Sequence, residues 1–296
     1  MKRREFILAA GAAALSGSAG VAQAGAATVP GKAPKASEIK DYLWSLDGGW
    51  VKFDKTVDVF KAGDPGSEVK GIAVAWMPYE WAIRKALELG CNMFVTHEPT
   101  YYDHWDKNQD VFKFDCARRK RELVEKSGMV ILRCHDVWDQ YPDEGVPDSW
   151  ARTLGFSQPV DGKGWFRVFD VSGRTAIDVA RQVAKKTAYL GQDCVQLLGD
   201  GNRKVTRAAI GCGAITPFQQ FVETYRADLA ICTDDGFTYW QDGALALDMG
   251  IPVIIVNHPV AEDYSMKALA DHLQKKYPAV PVHHIAEGCM YRTVRA

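Results

Sequence analysis

The chain has no CxxC pair, no phosphate-cradling glycine loop, little net charge and, beyond its first two dozen residues, no long apolar run. Each lack excludes something. Seven cysteines are an odd number, and without CxxC spacing they suggest neither a zinc ribbon nor a disulfide framework. Cys91, Cys134, Cys212 and Cys232 sit in apolar, strand-like runs and read as small buried hydrophobes. A formal net charge of −1 leaves no electrostatic footprint for nucleic acid. The single basic run, Arg118-Arg119-Lys120-Arg121, falls on a helix-like segment with Leu123 and Val124 on another face, and reads as a solvated helix face. No run after the first residues is long enough to span a bilayer.

Residues 1–24 carry the one mildly apolar stretch. Arg3-Arg4 precedes Phe6-Ile7-Leu8, and Ala22-Gln23-Ala24 supplies a small-x-small cleavage site. Paired arginines before a weak apolar core predict a twin-arginine signal peptide, and hence a periplasmic protein exported already folded. Removing it takes away Lys2, Arg3, Arg4 and Glu5, so the net charge moves from −1 to −3, with no membrane association expected afterwards. Residues 25–36 form a tether. The rest, in a chain that is 47% hydrophobic, suffices for two modest domains, expected at 37–160 and 161–296.

Strand and helix patterns alternate along this remainder, so an α/β fold is predicted: two related domains with mixed, mostly parallel sheets. Ser37 is placed to cap a helix carrying Ile39, Tyr42, Leu43 and Leu46. A turn at Gly63-Asp64-Pro65-Gly66, a strand Val69–Ala75, a helix from Pro78 to Gly90 and a strand Met93–Val95 then lead to Thr96-His97-Glu98. The theme returns: a turn at Gly199–Asn202, a strand Val205–Ile210, a capping-box start at Thr216-Pro217-Phe218-Gln219 and a strand Leu229–Cys232 lead to Thr233-Asp234-Asp235. Further helices are expected at 116–126, 147–154, 176–188 with Thr175 as cap, 240–247 and 263–276. Further strands are expected at 129–134, 253–256 and 280–285.

Chemistry collects where these strands end. His97-Glu98-Pro99, His135-Asp136-Val137-Trp138-Asp139 and His258-Pro259 with Glu262 each follow a short apolar run. His97 and Glu98 can share a cleft only where the strand has already stopped, and Pro99 enforces that stop. His258 and Glu262 are four apart, on one face of a helix start. The imidazoles of His97 and His258 with the carboxylates of Glu98, Asp139 and Glu262 exceed what one tetrahedral zinc needs. They suit two divalent ions sharing a carboxylate and a water in the cleft between the domains. His135 is expected to orient a ligand, and His104 and Asp235 are candidate catalytic groups. The aromatic loop Tyr101–Asp106 is read either as a lid over the site or as packing between subunits, and His283 and His284 as structural.

The same residues resemble those of the Nif-three-like proteins, the dinuclear-metal-centre hexamers labelled homologues of the type 2 form of GTP cyclohydrolase I. Gly63-Asp64-Pro65 with Val69–Val74, Val95–Pro99, His135–Asp139, and His258 with Glu262 follow the family's motifs in order from about residue 37 to 293. The resemblance implies His97, Glu98, Asp139, His258 and Glu262 as metal ligands, two α/β domains and a homohexamer. Glu98 stands where the family usually has a second histidine, which favours Mn or Fe over Zn. The family's Gly-Leu-Gln is here Thr56–Phe60, the acidic residue ending its first strand gives way around Trp76, and its second Thr-Gly-Asp/Glu is Thr233-Asp234-Asp235. The expected activity is metal-dependent hydrolysis of a small phosphorylated or cyclic amide-type molecule. The alternatives are a non-catalytic metal-binding hexameric scaffold or sensor, and a zinc amidase with a single ion.

Overall fold

The computed structural model describes residues 32–294, so the twin-arginine signal at 1–24 and the tether up to residue 31 lie outside the described residues. The first half runs α1 (Ala36–Trp44), β1 (Phe60–Ala62), β2 (Ile72–Ala75), α2 (Glu80–Glu88), β3 (Met93–Thr96), α3 (Asp115–Ser127), β4 (Val130–Arg133), α4 (Asp136–Asp139) and α5 (Val146–Leu154). The second runs β5 (Pro159–Asp161), β6 (Arg167–Thr175), α6 (Ala176–Thr187), β7 (Gln196–Leu198), β8 (Lys204–Ile210), α7 (Phe218–Glu223), β9 (Leu229–Thr233), α8 (Asp242–Met249), β10 (Val253–Val256), α9 (His258–Lys276) and β11 (Val282–His284).

These strands build a five-stranded sheet, β1-β4-β3-β2-β11, and a six-stranded sheet, β5-β6-β8-β9-β10-β7. In the first, β11, β2, β3 and β4 are parallel and β1 alone runs against them. In the second, β8, β9 and β10 are parallel, flanked by antiparallel β6 and β7. The fold is thus mixed α/β with two sheets, as the alternating pattern predicts.

The parallel strands IAVA, MFVT and VILR are buried along their whole length, because helices cover both faces. Alternation decides which helix each residue meets. Ile72, Val74, Met93, Val95, Val130 and Leu132 face Ile39 and Leu43 of α1 and Met266, Leu269 and Leu273 of α9. Ala73, Ala75, Phe94 and Ile131 face Ala82 and Ile83 of α2 and Val124 of α3. The second sheet is covered likewise by α5, α6 and the start of α9 on one side, and by α7 and α8 on the other. Helix α9 therefore starts against the second sheet and ends against the first, and β11 pairs with β2. The turn between β1 and β2 needs Gly63: its φ is +79°, and a Cβ there would lie 2.6 Å from the Val130 Cα.

The duplicated pattern is visible in space. Parallel β2-α2-β3 and β8-α7-β9 each end in a threonine whose hydroxyl donates to the carbonyl of a residue just past the preceding strand, Thr96 to Trp76 and Thr233 to Gly213. The strand that follows in each repeat, β4 or β10, then feeds a helix start carrying a histidine–carboxylate pair four residues apart, His135/Asp139 and His258/Glu262.

Several expectations need correction. Ser37 does not cap α1: the helix starts at Ala36 with Lys35 at the N-cap position, so Ser37 lies inside it. Helix α9 begins at His258, five residues before the expected Asp263, because Pro259 fixes φ in the first turn. The Thr216 capping box does not form: Pro217 holds the N-cap position of α7 and the buried Thr216 hydroxyl caps nothing. Lys120 is not on a solvated face but 1% exposed, its Nζ donating to the Thr100 carbonyl at 2.8 Å. Thr175 does cap α6, its hydroxyl accepting from the Asp178 amide while the Asp178 carboxylate accepts from the Thr175 amide.

These contacts differ in worth. Leu269→Ala, which truncates a fully buried side chain, should cost about 2–5 kcal/mol, and Thr175→Ala about 1 kcal/mol. Urea unfolding midpoints measure both.

Candidate metal centre

The carboxyl ends of β3, β4, β9 and β10 point at one cavity of about 620 Å³, whose walls include Glu98, His104, His135, Asp139, Asp235, His258 and Glu262. This is where open α/β sheets gather ligands. Of the sequence-predicted residues, only His97 is absent from the cavity surface; it lies behind it, fully buried.

Glu262 is the hub. Its Oε2 lies 3.0 Å from His258 Nε2 and 3.3 Å from His97 Nε2, and accepts from Trp76 Nε1 at 2.7 Å. His97 Nε2 is also 3.4 Å from Asp139 Oδ1, and the His97 ring stacks on His135 with centroids 4.4 Å apart. Glu98 Oε1 lies 3.8 Å from His258 Nε2 and 4.0 Å from His135 Nε2. Its other oxygen takes a 3.0 Å hydrogen bond from Arg133, a buried guanidinium that also donates to the carbonyls of His97 and His104. Potential donor atoms of His97, Glu98 and His135, and of Glu98, His258 and Glu262, lie within 4.8 Å of one another. His135, expected only to orient a ligand, thus stands in the geometry as the counterpart of His258.

Neighbours outside the cluster aim these donors. His258 Nδ1 is 2.8 Å from Asp235, and Asp139 Oδ2 accepts from Trp165 Nε1 at 3.2 Å. His135 Nδ1 is 2.9 Å from Asp136. The short helix α4 is capped from a distance by buried Asp58, which accepts the amides of His135, Asp136 and Val137 at 2.6, 2.9 and 2.8 Å. Sequence reasoning missed Asp58 and Trp76. Both fall in segments that depart from the family pattern, which was the available signal.

The donor set fits divalent ions. His97 Nε2 and His258 Nε2 are buried and make no aligned hydrogen bond, although carboxylate oxygens stand close by. Ligand atoms around a cation at about 2.0–2.2 Å stand roughly 3–3.5 Å apart, the spacing seen here. Buried carboxylates crowded together repel by about 4 kcal/mol per pair at 4 Å separation and an effective dielectric of 20, which a cation reverses.

The electrostatics agree. Burial lowers His97 to about 4, more than Glu262 can offset, so its lone pair is free at neutral pH. Burial pushes Asp139 up to about 7, against the pull of His135. Burial would also raise Glu262, but His258 and His97 overrule it and hold the group at about 2. Burial opposes charge on His135, yet Asp139 and Asp136 bring it up to about 10, and His258 is raised likewise by Glu262 and Asp235. Cations entering the cluster must displace those protons, so binding strengthens as pH rises.

Fold and site together define a two-sheet α/β protein with a histidine–carboxylate cluster of metal-binding type at the strand ends. Residues 57–288 match the family described as Duf34/NIF3 (NGG1p interacting factor 3), and the chain belongs to that family. It is 24% identical over 204 residues to a "GTP cyclohydrolase 1 type 2 homolog" of Clostridium perfringens, covering 66% of this chain and 74% of that one. Among solved structures, a hypothetical protein of Staphylococcus aureus superposes with TM-score 0.69 at 17% identity, covering 88% of this chain and 99% of that one. A NIF3-related protein of Bacillus cereus gives TM-score 0.69 at 14% identity, covering 89% and 99%. These structures share the fold.

Two outcomes follow for the site and its wall. Gly213 has φ +58°, and a Cβ there would lie 2.8 Å from Glu262 Oε1 and 3.3 Å from His258 Nε2. Gly213→Ala should therefore weaken metal affinity by about 10–100-fold with the circular dichroism spectrum unchanged, read by competition with a chelator. Glu287 accepts from the Met77 amide with one oxygen, while the other has no partner. Burial raises it from 4.5 to about 9, so the folded state holds a proton that the unfolded chain releases near 4.5. Stability is fully retained below the unfolded value and falls as pH climbs to about 9. The melting temperature of Glu287→Gln relative to wild type should accordingly rise across that window.

Proposed function

We propose that this protein is a dinuclear, divalent-metal-dependent hydrolase acting on a small phosphorylated or cyclic amide-type molecule. The observation that carries the reading is the pair of buried imidazole nitrogens without aligned hydrogen bonds, one on the wall of a ligand-sized cavity and one just behind it, with carboxylate oxygens beside both. His97, Glu98 and His135 would hold one ion and Glu98, His258 and Glu262 the other, with Asp139 beside His97. Glu98 supplies a hard oxygen where the family's histidine would supply nitrogen, which favours Mn or Fe.

When bound, a divalent pair polarises a substrate oxygen and makes water acidic enough to attack near neutral pH. The chain's own groups do the rest. Trp76 and Asp235 keep Glu262 and His258 aimed at the centre. Arg133 fixes one oxygen of Glu98 and leaves the other facing inward. His104 lines the cavity, and burial, then Arg133, lowers its pKa, so it is neutral and able to accept a proton from an attacking water.

The reading extends to place and assembly. The paired arginines and cleavage site at 1–24 support export to the periplasm by the twin-arginine route, and the family resemblance supports a homohexamer.

Elemental analysis of freshly purified protein should give two divalent ions per chain; one would instead indicate a mononuclear amidase. His97→Ala and Glu262→Ala should lose metal and activity together on a panel of cyclic amides and phosphoesters. Activity retained with the metal lost refutes the mechanism, and inactivity of the loaded wild type on the whole panel leaves a metal-binding scaffold.

A further inference from the structure

We infer that the substrate's body is an uncharged aromatic or heteroaromatic ring, and that phosphorylated molecules are disfavoured. This rests on the reading of the centre as a metal-dependent hydrolase and narrows it.

The cavity walls above the cluster are formed largely by Trp76, Tyr79, Tyr102, Trp165, Ile215 and Met290. Among the described residues, no lysine or arginine lines it. The two buried cations beside it are committed: Arg133 to Glu98 and two main-chain carbonyls, and Lys120 to the Thr100 carbonyl, with its Nζ 4.4 Å from the Tyr102 ring centroid.

Helix amides are the other usual phosphate cradle, and here they are taken. Asp58 accepts the first amides of α4, and Asp234 accepts the His258 amide at the start of α9 at 3.0 Å. Both helix starts facing the cluster therefore already carry a carboxylate of the chain itself.

The charge balance points the same way. Glu98, Asp139, Asp235 and Glu262 all line the cavity, so four carboxylates already face the two divalent ions and the Arg133 guanidinium. A polyphosphate would add negative charge that no side chain on the wall can meet, in surroundings where an unpaired charge is costly.

A ring has what it needs. The cavity volume of about 620 Å³ suits a molecule of one or two rings. Tyr102 is held at φ 65°, a conformation non-glycine residues rarely adopt. The Asp106 carboxylate fixes the loop by accepting the amides of Thr100 and Tyr101 at 3.1 and 2.6 Å. That strain sits at a cavity wall and places an aromatic side chain there.

The test compares three chelators with one shared head, titrated calorimetrically into the metal-loaded full-length protein: acetohydroxamate, benzohydroxamate and 4-phosphonobenzohydroxamate. Benzohydroxamate should bind about tenfold more tightly than acetohydroxamate, and the phosphono compound more weakly than benzohydroxamate. Tyr102→Ala, at a half-exposed position, should shrink the aryl advantage and leave acetohydroxamate affinity unchanged. Equal affinity for acetohydroxamate and benzohydroxamate, or tighter binding of the phosphono compound, overturns the inference while the metal-centred reading stands. Failure of all three to bind removes that reading and this inference with it.

Discussion

One oxygen atom organises this molecule. Glu262 Oε2 stands within 3.3 Å of two imidazole nitrogens and takes the indole hydrogen of Trp76, and all four residues are buried. A carboxylate can be buried only when its charge is met, and meeting it requires His97 from β3, His258 from α9 and Trp76 from the end of β2 to arrive together. That requirement ties the first sheet to the second. Helix α9 serves both ends of the arrangement, carrying His258 and Glu262 in its first turns and packing Met266, Leu269 and Leu273 against the first sheet further on.

The two halves show how one backbone plan yields unlike chemistry. Each repeat ends its second strand in a threonine that latches onto the chain beyond the first strand, and each follows the next strand with a histidine and a carboxylate one helical turn apart. At the strand ends between, the first half places His97 and Glu98 in the cluster. The second places Asp234 and Asp235, which cap α9 and orient His258 instead. Donors and the groups that aim them are thus divided between the repeats.

Much of this was legible in the sequence, and for specific reasons. Runs such as Met93–Thr96 and Val253–Val256 are apolar on both faces, a pattern that buried parallel strands demand. A histidine or carboxylate close after such a run emerges at the sheet edge, which is why His97, Glu98 and His258 stood out from spacing, while Asp139 and Glu262, each six residues past a strand, joined them by helical spacing and by the family resemblance. Local pattern failed where distant partners decide. Nothing near Asp58 in sequence reveals that it accepts amides 77 to 79 residues away. Lys120 sits in a basic run and shows no local sign of its inward turn toward Thr100. Strand β6 mixes buried and exposed residues and breaks register between Asp170 and Arg174, so its antiparallel pairing with β8 left only a weak trace.

The Arg133–Glu98 pair has a consequence for substitution at either position. A guanidinium with no solvent access is tolerable only while a carboxylate answers it. Exchanging Glu98 for histidine would leave Arg133 with an unanswered charge in the interior, and exchanging Arg133 alone would free an acidic oxygen beside the cluster. Neither single exchange is easy, so the two positions act as one unit in holding the inner wall of the cluster.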